Sequence, residues 1–225
     1  GGSFDSLKGL VVTLDDAMLN GQGLISSEGT LTLNAGRVDN NAGNLTSAGA
    51  LALTSLGALL NQGGSISTDS TLKLKSASLD NSQKGLISGK DNSRIDSGDV
   101  DNSQGGRLIS GGTLDFTAGQ VNNAAGRIAS QQAMTMSVTG LDQQGGELFS
   151  KTSLSLDLNN GQLNNQNGLI NAPGELLLKQ LNGVNNQGGE ISSQQAFALT
   201  AHDLDNSNGK LLSQQGLTVR IAQAL

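Results

Sequence analysis

The chain has 225 residues, of which 32 are Gly, one is Pro and none is Cys, and its formal net charge is −6. Without Cys there are no disulfides and no thiolate metal sites, and a mildly acidic chain lacking basic clusters does not fit nucleic acid, whose phosphates require Lys and Arg. Four Phe are the only aromatic residues, too few for the ring-anchored core and substrate cleft of a globular enzyme of this length.

In chain order, Val12 and Leu14 close a partial coil over residues 1–17. A pattern then starts at Met18 and returns at Val38, Leu59, Leu79, Val100, Val121, Leu141, Leu163, Val184 and Leu204, ten starts spaced 20 to 22 residues apart. Counting each start as zero, apolar residues fall at offsets zero, seven, thirteen and fifteen, Asn at two, Gly at five and Ser at nine. Self-similarity at this period marks a repeat architecture, in which each unit packs on its neighbours and no single core forms. Residues two apart on a strand share a face, so zero and two, seven and nine, and thirteen and fifteen are three inward pairs on three short strands. No window holds apolar residues at helical spacing. The expected fold is all-β: a right-handed parallel β-helix, a three-sided solenoid of about ten coils of 20–22 residues, with handedness from the preference of parallel crossovers.

Individual coils depart from the pattern. The fourth should close near Asn92 and Arg94, yet Lys90, Asp91, Arg94, Asp96 and Asp99 crowd that stretch and Ile95 is its only apolar residue. It is the expected weak point, and those five residues are the candidate contact for a partner. The fifth carries one extra residue before Leu108 and closes with Leu114 and Phe116. The sixth closes with Met134 and Met136, the seventh with Leu154 and Leu156. The eighth holds Pro173, which lacks an N–H and belongs at a corner, beside Ala172 at the usual Ser position. The tenth closes with Leu217 and Val219, and residues 220–225 begin a further coil. The pattern at both ends reads as part of a longer filament, 1–225 being one repeat segment.

The offset-two residues, Asn20, Asn40, Asn61, Asn81, Asn102, Asn123, Gln143, Asn165, Asn186 and Asn206, lie two from an inward apolar residue and are expected to point inward. There they form an amide ladder of the kind that stabilises stacked parallel strands. Gln143 must fold its longer side chain back to keep that ladder continuous. The Gly at offset five, one place late in the fourth coil, is assigned to the turn.

Chemistry has few candidates. His202, the only His, lies beside Asp203 but shows no triad spacing. Asp91, Asp96, Asp99 and Asp101 lack the nine-residue glycine-aspartate period of calcium-binding β-rolls. No cofactor motif is found. Phe149, at offset eight, is the one ring expected to face outward. No apolar run approaches the roughly 20 residues of a membrane span, and Gly1-Gly2-Ser3 lacks the basic region of a signal peptide.

Val38-Asp39-Asn40, Leu79-Asp80-Asn81, Val100-Asp101-Asn102 and Leu204-Asp205-Asn206, with the Gly, Ile/Leu-x-Ser and Leu-x-Leu that follow, give the chain a specific resemblance. It resembles the haemagglutinin repeats of filamentous haemagglutinin and of contact-dependent growth inhibition toxins, two-partner secretion exoproteins of Gram-negative bacteria. The resemblance implies export through an outer-membrane transporter partner and display at the cell surface as a long filament. The expected role is a non-enzymatic stalk that holds a receptor-binding or toxic element away from the cell. The alternatives are an adhesive module that binds a target-cell receptor or glycan through coil 79–99, and, more remotely, a polysaccharide-cleaving enzyme. The segment is expected to be a monomer whose unpaired end strands invite end-to-end stacking.

Overall fold

The structure is a computed structural model that describes residues 1–222; of the further coil expected over 220–225, residues 223–225 lie outside the described residues. The described residues contain strands and turns and no helix. All strand pairing is parallel, and the coils stack into a β-solenoid of about ten turns.

Face one is built from four-residue strands such as Leu24–Ser27, Asn44–Ser47 and Ser65–Thr68, eleven of which hydrogen-bond in one sheet. Faces two and three share a second sheet. In some coils they are separate strands, as in Leu114–Thr117 and Gln120–Asn122. In others one strand runs through both, as in Leu31–Asp39, Leu72–Asp80 and Ser93–Asp101. Three independent strands per coil were expected; the second corner is a bend that backbone pairing survives. The reason is a third inward position on face two, two residues after the closing pair. Small side chains occupy it in most coils (Ala35, Ser55, Ser76, Ser97, Ala118), all buried. They let the strand curve without leaving the core, and the Ser76 and Ser97 hydroxyls bond each other at 2.9 Å.

The core is a set of columns along the axis. Ile25, Leu45, Ile66, Ile87, Leu108 and Ile128 stack in register on face one, each almost completely buried. Each such residue contributes on the order of 1.5–3 kcal/mol, and each needs the coil above and below to be covered. Ser at offset nine seals the first corner: the Ser110 hydroxyl donates to the Thr113 carbonyl at 2.7 Å and lies 2.9 Å from the Asp91 carbonyl of the previous coil.

The fourth coil is corrected. Its extra turn residue moves the frame by one, so the inward pair is Ser93 and Ile95, in register with Leu72 and Leu74, and Asn92 and Arg94 face solvent. Its strand pairs with Leu72–Asp80 on one side and with Leu114–Thr117 and Gln120–Asn122 on the other. The only defect is Ser93, whose buried Oγ has no hydrogen-bond partner. A Cβ on Gly89, which takes the corner-sealing Ser position, would lie 2.5 Å from that oxygen. An unpaired buried hydroxyl costs roughly 1–3 kcal/mol, so Ser93→Ala is expected to leave stability unchanged or raise it by about 1 kcal/mol in urea unfolding. A clear loss would mean that the hydroxyl has a partner.

Candidate functional site

The offset-two amides form a column through the interior. Asn20 Nδ2 donates to Asn40 Oδ1, Asn40 to Asn61, Asn61 to Asn81, Asn81 to Asn102 and Asn102 to Asn123, each at 2.7 Å. The same Nδ2 reaches the offset-five Gly carbonyl of its own coil and a face-one carbonyl of the next, as Asn61 does with Gly64 at 3.3 Å and Leu86 at 3.1 Å. The members from Asn40 to Asn186 are completely buried, Asn20 nearly so, and Asn206 is half-buried. Every dipole points the same way along the axis, so each bond polarises the next.

Gln143 does not keep the column continuous. It accepts from Asn123 at 2.8 Å, but its extra methylene carries Nε2 away from Asn165, and its one protein acceptor is the Leu169 carbonyl at 3.5 Å. Asn165 Oδ1 is consequently buried without a partner. The column restarts there, running from Asn165 to Asn186 at 2.7 Å and from Asn186 to Asn206 at 2.6 Å. Since the orphaned carbonyl costs roughly 1–3 kcal/mol, Gln143→Asn is expected to stabilise the protein by about 1 kcal/mol or more. Denaturant unfolding that shows a loss would contradict the interruption.

The offset-five Gly has a different job from the turn duty expected of it. The left-handed residue is usually the one before: Gln22, Ala42, Gly63, Ala125, Gly145, Asn167, Gly188 and Asn208 all have φ between 52° and 63°. The fourth and fifth coils use two in succession, Gln83 with Lys84 and Gln104 with Gly105, so Gly106 is the equivalent residue in the fifth. Gly is required at the next position because the column passes against it. A Cβ on Gly43 would meet the Asn20 carbonyl oxygen at 2.1 Å and Asn40 Oδ1 at 2.7 Å.

The offset-one residues close the turn, a role not assigned to them from sequence. Asp39, Asp80, Asp101, Asn122, Asn185 and Asp205 each accept the backbone N–H two residues on, at 2.9 to 3.1 Å. Asp and Asn suit this turn because their short side chains place an oxygen within reach of the backbone two residues on. At Asp205 the Ser207 N–H, the Ser207 hydroxyl and the Gln187 amide, in that order, hold the carboxyl below its ordinary value.

The five candidate contact residues do not converge on one spot. Lys90 and Asp91 lie at the first corner, Arg94 and the half-buried Asp96 on the outer side of face two, and Asp99 near the second corner. Arg94 stands between Lys73 and Asp115 in neighbouring coils, and Asp96 beside Lys75, forming a mixed-charge patch. Asp99 Oδ1 accepts the Gln120 N–H at 2.9 Å, which makes it part of the corner. Among the described residues, no three His, Asp or Glu side chains come together as a metal site. His202 is exposed, with Nδ1 3.3 Å from Asp203 Oδ2. Phe149 is half-buried, because it lies on face one between Ala129 and Asn171 and covers the buried Ala129. Phe4, at 65% exposure, is the open ring. Among the described residues, no helix is long and apolar enough to cross a membrane.

A family model described as haemagglutinin repeat matches residues 12–63, 57–118 and 109–225. No curated protein matches the chain, and no solved structure does.

Proposed function

Because the chain belongs to the haemagglutinin-repeat family, we propose that it is a stalk segment of a two-partner secretion adhesin, a repeat that supplies reach. The observation that carries this reading is the stacking itself. Coil after coil of nearly constant length bonds to the next through face one and through the amide column. Residues added to such a chain become length: about ten coils at roughly 4.8 Å each give a rod on the order of 50 Å. The parent exoprotein leaves a Gram-negative cell through an outer-membrane transporter partner and carries a receptor-binding or toxic element at a distance.

A second reading makes the irregular coil that carries Lys90, Asp91, Arg94, Asp96 and Asp99 a contact for a receptor or glycan. Binding of the labelled segment to target cells separates the two. The stalk reading expects no saturable binding, unchanged when the five residues are replaced by Ser or Asn. Saturable binding abolished by that replacement would establish the contact reading in its place. Turnover of a polyuronate by the segment would overturn both.

A further inference from the structure

The rod is not equally well tied along its length, and its irregularities gather in coils seven to nine. The amide column is interrupted between Gln143 and Asn165. At the second corner of coil seven, Asn159 and Asn160 adopt left-handed φ of 50° and 64°, and the pairing of Leu154–Asn164 with Leu176–Asn185 shifts register on either side of Gly161. At the first corner of coil eight, Pro173 stands where Lys151 of the preceding coil donates its N–H to the Ser130 carbonyl at 3.0 Å; proline has no N–H to give. On face two, Leu176–Lys179 pairs backward with Leu154–Asp157 and Phe197–Ala201 pairs forward with Leu217–Ile221, but these two strands do not pair with each other.

That missing ladder thins the cover of the core, although the two strands still lie side by side. Leu178 is only partly buried, although its register mate Leu156 is completely covered. A groove lined by Leu176, Leu177, Leu178, Phe197, Ala198 and Leu217 crosses face two there. Met134 and Leu154 donate their N–H groups to the next coil at 2.8 and 2.9 Å, whereas Leu176 has no such backbone bond. The same two coils stay joined on face one, where Leu169–Ala172 pairs with Glu190–Ser193, on face three, where Gly183–Asn185 pairs with Asp203–Asp205, and through the Asn165–Asn186 amide bond. One side is packed but lacks its backbone ladder and the others are fastened, which is the geometry of a hinge.

We propose that coils seven to nine are a mechanical joint, at which the rod bends by opening face two and at which it first yields under tension. The proposal goes beyond the stalk reading and does not depend on what the rod carries. In a solenoid each interface holds only its neighbours, so the rung with the fewest bonds sets the yield point.

The test is single-molecule pulling on the whole chain held at its two ends, with hydrogen exchange on the free protein. The first rupture is expected to release the portion after Lys179, roughly 150 Å of extended chain, with the rest yielding at higher force. The Leu176 amide is expected to exchange at least about tenfold faster than those of Leu154 and Met134. The double variant Gln143→Asn, Pro173→Gln ties coil seven to coil eight but leaves the Leu176 rung as it is, so the first rupture is expected to keep its length and force. A single all-or-none rupture, or a first rupture of clearly different length, overturns the proposal. So does equal exchange at Leu176, Leu154 and Met134, a readout that stands even if the double variant does not fold.

Discussion

Asn102→Asp is expected to lower stability by about 3–5 kcal/mol at neutral pH, the range for a buried charge left without a partner. Asn102 is completely buried. Its Nδ2 donates to Asn123 Oδ1 at 2.7 Å and approaches the Gly106 and Arg127 carbonyls at 3.1 and 3.2 Å. A carboxylate keeps the bond received from Asn81 at 2.7 Å but turns an anion towards three oxygens that have lost their donor. Burial and those oxygens raise the carboxyl's folded-state pKa above its unfolded value. The folded state then binds more protons, so the variant's stability falls as pH rises between the two values and returns as pH falls through them. The neighbouring Asn122→Asp is the control. Its side chain accepts the Ala124 N–H at 3.1 Å from a half-buried position, a role that Asp fills in other coils, and the change should stay within about 0.5 kcal/mol. Denaturant unfolding of the two variants at neutral and acidic pH checks the pair. An Asn102→Asp variant as stable as the parent would remove the column from the account.

Two adjacent glycines make the second large prediction. Gly145 has φ +58° and open space where a Cβ would stand, whereas a Cβ on Gly146 would lie 2.2 Å from the Asn123 carbonyl oxygen. Gly145→Ala therefore meets only backbone strain, about 1–2 kcal/mol. Gly146→Ala must push one coil off another, and about 3 kcal/mol or more is expected, the upper end of overpacking costs. If these glycines served mainly the turn, the order would reverse. Unfolding free energies of the two variants give the order directly.

The fold was legible because a solenoid repeats its own instructions. The spacing of Met18, Ile25, Leu31 and Leu33 returns along the chain, one place late in the fourth and fifth coils, and period-two pairs identify strands wherever they occur. The inward placement of Asn40 and Asn61 followed from their distance to Val38 and Leu59. What escaped was set by contacts between coils. The need for Gly43 arises from the Asn20 carbonyl, 23 residues away, and a turn-favouring residue offers a ready local explanation instead. Ala35, Ser55 and Ala118 carry too little apolar signal to mark an inward position. The frame of coil four was lost because a second left-handed residue, Lys84, lengthens its turn by one. Phe149 was expected to stand free because its cover, over Ala129, belongs to another coil. The contact residues Lys90 to Asp99 were chosen for their departure from the pattern, which identifies an irregular coil and not a partner.

Distances between spin labels along face one test the central claim, that sequence converts linearly into length. The chain has no Cys, so introduced pairs are the only labelled sites. Ser26, Ile109, Asn171 and Leu212 occupy the same outward register position in successively more distant coils. With Ser26 as the fixed label, separations of roughly 19, 34 and 43 Å to the other three are expected at about 4.8 Å per coil. Distances that stop growing with sequence separation, as they do in a compact domain, would contradict the solenoid.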